Sequence, residues 1–191
     1  MTSEYELTLS PKTLENADPR AKAVLEKAKT QTGSIPNMYA GMANSPGLLE
    51  TYLDGMARFR KDSGFTRAEQ EVVLLTVSRV NGCDYCMAAH SWIADRMSKV
   101  PPPVTEAIRS GQAIPDAKLA ALSAFTDKLV ATRGLPSKAD VEAFLGAGYS
   151  ERHVLEIILA IGVKTLSNYS NHLLHTPLDE MFAGREWKES A

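Results

Sequence analysis

From Pro11 to Leu174 the apolar residues of this chain return at helical spacing, and the gaps between the runs carry helix caps rather than hairpin turns. That pattern predicts an all-α fold of about eight helices and no sheet. Ser45-Pro46 places an N-cap before a first-turn proline and opens a helix through Leu48 to Phe59. Thr66 and Glu69 have capping-box spacing at the head of Arg67 to Val80. Asp116 opens a run through Thr132, and Ser137 opens another that ends near Gly146-Ala147-Gly148, where glycine suits the turn after a helix. Pro101-Pro102-Pro103 breaks the pattern as a rigid corner, too short for an interdomain linker.

At 191 residues the chain suits one domain, residues 1–191, with its own core. A net charge of -2 gives nucleic acid no electrostatic footprint. The stretch Val154 to Val163 contains Glu156 and is far shorter than the roughly 20 apolar residues that span a bilayer, so no membrane association is expected. The first residues are acidic and polar where a secretory signal needs a basic start and an apolar run, and the expected compartment is the cytoplasm.

An offset of about 84 residues lays Phe65-Thr66 on Tyr149-Ser150, and Val73-Leu74-Leu75 on Ile157-Ile158-Leu159. Cys83-Asp84-Tyr85-Cys86 then falls on Ser167-Asn168-Tyr169-Ser170. The expectation is an internal pseudo-repeat of about 65–98 and 149–182. Glu71 and His90 fall on leucines, so only the first copy carries reactive groups.

Cys83 and Cys86 are the only cysteines. In a reducing compartment such a pair signals redox catalysis or metal binding rather than a structural staple. Asn81-Gly82 ends one helix, which puts Cys83 at the start of the next, where free N–H groups and the helix dipole favour a thiolate. Steps of three and four residues bring Cys83, Cys86 and His90 onto one face. Glu71, on a preceding helix that is apolar nearly all round, requires either a raised pKa or a close partner, and His90 is the natural one. These positions define a Glu71-His90-Cys86 relay, in which the glutamate orients the imidazole and the imidazole takes the thiol proton. The same side chains leave zinc binding open, with both cysteines, His90 and Glu71 as ligands, and so does a redox-inert helical module.

Glu71, Cys83-Asp84-Tyr85-Cys86 and His90 together resemble the core signature of the alkylhydroperoxidase D family, within the carboxymuconolactone decarboxylase-like superfamily. The resemblance extends to Gly33-Ser34-Ile35-Pro36-Asn37, Ser45-Pro46 and Asn168-Tyr169-Ser170-Asn171-His172. It implies a duplicated helical bundle that assembles as a homo-oligomer, a trimer or hexamer, and a peroxidase that reduces hydrogen peroxide or organic hydroperoxides without a bound cofactor. It assigns Cys86 as the peroxidatic thiol, Cys83 as the resolving thiol, and Glu71 with His90 as the proton relay. The implied reductant is a dithiol such as a lipoylated or thioredoxin-like protein. Tyr85 departs from the family pattern, which has histidine at that place, and the decarboxylase branch does not rely on paired cysteines. Phe59, Phe65 and Leu53 are expected to cover the reactive unit and give an apolar pocket, with Met87, Tyr85 and Trp92 as further lining candidates. His153 and His175 read as surface or capping residues, and Asn171 with His172 as ties near the chain end.

Overall fold

A computed structural model describes residues 3–188 and shows why one helix becomes the centre of this protein. In α4, Arg67–Val80, every residue from Glu69 to Ser78 is buried. A helix apolar all round can only be satisfied by neighbours on all sides, and the rest of the chain supplies them. Before it come α1 (Pro19–Thr32), α2 (Asn37–Met42) and α3 (Pro46–Asp62). After it come α5 (Asp84–Ile93), a π-helical turn (Ala94–Ser98), α6 (Pro102–Ser110), α7 (Ala117–Ala131), α8 (Lys138–Gly146), α9 (Glu151–Leu174) and a 3₁₀ turn (Glu180–Arg185). No strand occurs among the described residues, and none of the described helices is long and apolar enough to cross a membrane.

The punctuation read from the sequence sets these boundaries. Thr66 accepts from the Glu69 amide while Glu69 reaches back to the Thr66 amide, and Ser137 with Asp140 repeats the device. Asp116 accepts from the Leu119 amide. Pro101 is the N-cap of α6, so the proline run that ends one segment also starts the next. The two segments paired by the 84-residue offset both open on a capping box, but they part at the break: Gly82, at φ 64°, turns the chain between α4 and α5. Thr165-Leu166 at the matching place has no such residue, and α9 runs on unbroken.

Two apolar cores flank this axis. One gathers α4, α7 and α8 around Phe125, Phe144 and Tyr149, and the other packs α1, α2, α3 and α5 around Leu25, Leu49, Tyr52 and Met42. Met56 and Leu159 pack against both. Where α3 crosses α9, Gly55 admits Val163 so closely that a Cβ there would stand 2.6 Å from Val163 Cγ2.

Phe144 is stacked between Phe125 at 4.3 Å and Tyr149 at 4.7 Å and is 1% exposed. Phe144→Ala is expected to cost about 3–5 kcal/mol, read as a fall in urea midpoint at unchanged slope.

Candidate functional site

The site is built from the centre outward. Glu71 stands in the middle of α4 with no solvent exposure. Its Oε2 lies 2.8 Å from His90 Nδ1 on α5, and its Oε1 accepts from Arg60 Nη2 on α3 and, at 3.5 Å, from Ser98 in the π-helical turn. Arg60 is itself fixed, because Nη1 donates to Gln70 Oε1 at 3.2 Å while Gln70 Nε2 donates back to the Arg60 carbonyl at 3.1 Å. Burial alone would push the Glu71 carboxyl up, but His90 and Arg60 together hold it below its ordinary 4.5. The requirement for a raised pKa or a close partner is met by partners. His90 is the expected one; Arg60 is not among the residues the sequence pattern singles out, although it falls in phase with Leu53 and Met56 on α3.

Cys83 is the N-cap of α5 and Cys86 lies in its first turn. The two are 3.6 Å apart, both free thiols and both buried. Their environments drive them in opposite directions. The Cys83 thiol is raised by donating to Cys86 and by burial. Burial acts against the Cys86 thiolate as well, yet the Cys83 hydrogen bond and the charges of Lys164 and His90 bring Cys86 well below its ordinary 9.0. Asn171 Nδ2 donates to Cys86 Sγ at 3.3 Å and to Cys83 Sγ at 3.7 Å, and Ser167 Oγ lies 3.9 Å from Cys86 Sγ. His90 joins Cys86 through charge, and no direct hydrogen bond links them among the described residues.

The two sulfurs open on different spaces. Cys86 lines a cavity of about 430 Å³ with His90, Lys164, Tyr39, Tyr52 and Trp92. Cys83 lines a smaller cleft of about 140 Å³ walled by Asn171, His172, His175 and Trp187. The cover differs from the one expected. Phe59 and Phe65 point into the α4–α7 core, and Met87 packs there as well, while Leu53 packs in the second core. The cavity takes its aromatic wall from Tyr39, Tyr52, Tyr85, Trp92 and Phe182 instead. Tyr85 and Trp92 line it as anticipated. The Tyr85 hydroxyl donates to Asp179, whose Oδ1 also accepts from the Asn37 amide at 3.1 Å, and this pins the segment after α9 across the cavity, with Phe182 edge-on to Tyr85 and Trp92.

Among the described residues, no group of three His, Cys, Asp or Glu side chains is placed to hold a metal ion. Glu71 and the Nδ1 of His90 are committed to each other, so the four zinc-ligand candidates do not converge. His153 caps α9 and His175 takes its C-cap, as anticipated, whereas Asn171, read as a tie near the chain end, is a donor to both sulfurs. Lys164 and Ser167 are site residues that the sequence motifs do not announce.

Residues 46–127 match the profile of the carboxymuconolactone decarboxylase family. The whole fold matches an alkylhydroperoxidase AhpD core, the peroxidase-related protein from Ralstonia eutropha JMP134, with TM-score 0.79 at 22% identity over 94% of this chain and 97% of that one. The chain is alkylhydroperoxidase D-like in fold, and over residues 46–127 its sequence resembles the carboxymuconolactone decarboxylase family. A peroxidase-related protein from Silicibacter sp. TM1040 matches with TM-score 0.76 at 20% identity over 94% and 97% of the two chains. The debrominase Bmp8, in complex with 2,3,4-tribromopyrrole, matches with TM-score 0.74 at 17% identity over 94% and 96%. No curated protein sequence matches the chain. Within the alkylhydroperoxidase D-like fold, the family profile spans Glu71, both cysteines and His90 but stops short of α9.

The buried pair sets a pH dependence. Burial and then Lys164 push His90 below its ordinary 6.5, against the pull of Glu71. The unfolded chain therefore takes up this proton before the folded protein does. The stability involved is complete above about 6.5 and is lost as the pH falls from there to the folded value. Glu71, held below 4.5, adds a second contribution that is present above that value and lost as the pH falls through its folded pKa. The urea midpoint is expected to fall from pH 7 to pH 5 and again below 4.5, and His90→Gln to flatten the first fall.

Proposed function

We propose that this protein is a thiol peroxidase that works through a Cys83–Cys86 dithiol/disulfide cycle. The observation that carries the reading is the asymmetry of the pair: one thiol driven toward thiolate at the wall of a cavity, its neighbour kept protonated 3.6 Å away. A nucleophile and its resolving partner need that division.

In the proposed cycle Cys86 reacts as the thiolate, and His90, steered by Glu71, carries a proton taken up from solvent. The thiolate attacks the terminal oxygen of a hydroperoxide, the O–O bond breaks, and Cys86 becomes a sulfenic acid. The proton on His90 passes to the leaving alkoxide to give the alcohol. Burial and Lys164, by lowering His90, make its protonated form a readier donor. Cys83 then attacks the Cys86 sulfur and releases water as the disulfide forms. An external dithiol returns two electrons and becomes a disulfide itself. The separate openings support a division of access, with peroxide at Cys86 and a lipoylated or thioredoxin-like reductant at Cys83. An exposed apolar row along α9, formed by Leu155, Ile158, Tyr169 and Leu173, supports self-association.

The aromatic wall also favours a second reading, reductive dehalogenation of a flat ring, as the fold shared with a debrominase suggests. There the aryl halide would gain hydrogen in place of halide, and the dithiol would supply the two electrons and close to the disulfide.

The deciding experiment exposes reduced protein to cumene hydroperoxide and, separately, to a brominated pyrrole, with mass spectrometry of the peptide carrying both cysteines. The peroxidase reading expects rapid loss of two hydrogens with the peroxide. Cys86→Ser is expected to abolish turnover, and Cys83→Ser to stop after one equivalent with Cys86 as sulfenic acid. Full turnover by Cys86→Ser would overturn the assignment, and disulfide formation with the bromopyrrole alone would move it to the second reading.

A further inference from the structure

Lys164 has no solvent exposure, and among the described residues its ammonium meets no oxygen or nitrogen acceptor, which leaves the Cys86 sulfur as the group it bears on. A long cationic side chain is rarely buried without a counter-charge, because the desolvation cost is several kcal/mol for an unpaired ion. Lys164 nevertheless lines the Cys86 cavity with its charge near the sulfur. It arrives there by register. Ile157, Ala160, Lys164, Ser167 and Asn171 succeed one another at steps of three and four on the buried face of α9, so the two residues one and two turns beyond Lys164 are those beside the sulfurs.

We infer that Lys164 is a positioning residue for the reactive thiol: its buried ammonium is the fixed counter-charge that holds Cys86 as a thiolate, with Asn171 donating to the same sulfur. The inference rests on the reading of Cys86 as the reactive thiol and goes beyond the Glu71-His90 relay in assigning the resting charge to α9.

The surroundings leave few competitors for that role. The groups facing Cys86 from α2 and α3 include the phenols of Tyr39, pushed up to about 12, and Tyr52, raised well above its ordinary 10 by burial; both are neutral at pH 7. From α5, Cys83 and Tyr85 are raised as well, and His90 is lowered by burial, with Glu71 at 2.8 Å to answer the charge it carries. His172, at the end of α9, is also lowered. Arg60, on α3, has its charge taken up by Glu71. Among the described residues, Lys164 is left as the cation without another anion to answer. The division of labour is then chemical: His90 moves a proton during turnover, and Lys164 supplies a charge beside the sulfur.

The test tracks Cys86 alone. Reduced protein is alkylated with iodoacetamide across pH 5 to 10, and the modified Cys86 peptide is quantified by mass spectrometry. Lys164→Met, close in length and without charge, is expected to move the Cys86 inflection upward. An inflection about one pH unit higher lowers the thiolate fraction about tenfold at pH values below it, and raising the pH restores the wild-type rate. Lys164→Gln is expected to behave the same way, and far-UV circular dichroism checks that both remain folded. His90→Gln is expected to leave the inflection low. The inference is overturned if Lys164→Met keeps the wild-type inflection, if it slows alkylation equally at every pH, or if His90→Gln alone raises the inflection. Alkylation needs no peroxide, so a low inflection without hydroperoxide turnover would sink the peroxidase reading and leave this one standing.

Discussion

The carboxylate of Glu71 is the constraint around which the site is organised. It sits where the sequence otherwise calls for an apolar residue, at the centre of a helix enclosed on every side, and a lone charge there would be among the costliest things the fold could hold. Its two oxygens divide the problem. One takes Arg60 from α3 and Ser98 from the turn after α5, and the other takes His90 from α5. Three segments are thereby fixed to α4 by directional bonds rather than by apolar contact alone. The division also settles the histidine. With Nδ1 bonded to a carboxylate, the proton belongs on that nitrogen and Nε2 is left as the acceptor. The free nitrogen of His90 is thus set by what the carboxylate needed.

The cysteines show how far identical side chains diverge within one turn of helix. Both are buried, which works against ionisation in each. The difference is that Cys83 donates and Cys86 receives, so each thiol's response reinforces the other's. The amide of Asn171 touches both sulfurs but lies closer to Cys86. Chain order would not have told the two sulfurs apart, since both lie at the same helix start. Three-dimensional placement separates their surroundings, by putting one sulfur on an aromatic-lined cavity and the other on a smaller, separate cleft.

Much of the architecture is legible in the sequence because it is written in local rules. Thr66, Asp116 and Ser137 announce helix starts through bonds they make to residues three positions on, and such bonds need no knowledge of the rest of the chain. Glu71, His90 and the cysteines are legible for a related reason: a charge in an apolar helix and a close thiol pair are conspicuous wherever they fold. The cavity wall is not. Phe59 and Phe65 precede the reactive unit in sequence but turn into the other core, while Phe182 is supplied from nearly a hundred residues downstream by a segment tied through Asp179. Lys164 lies between these cases. Its spacing from Ile157 and Ala160 marks an inward position, and a lysine there breaks the pattern as plainly as Glu71 does. Matching the second segment to the first for the same reactive groups registers only what the second lacks, and so hides the one group it adds.

The π-helical turn at Ala94–Ser98 accommodates one residue more than an α-helical path would need. It closes with Lys99 in the left-handed region at φ 54° and the Val100 amide bonded to the Ala94 carbonyl at 3.0 Å. The extra residue sets the angular phase of its successors, since each residue advances an α-helix by about 100°. Met97 and Ser98 reach the cavity, and Ser98 reaches Glu71, by virtue of that phase. The outer wall of the site is thus determined by a count of residues as much as by their kinds. A one-residue deletion in this turn would produce a more regular helix and, with every side chain chemically intact, rotate part of the site's lining away from it.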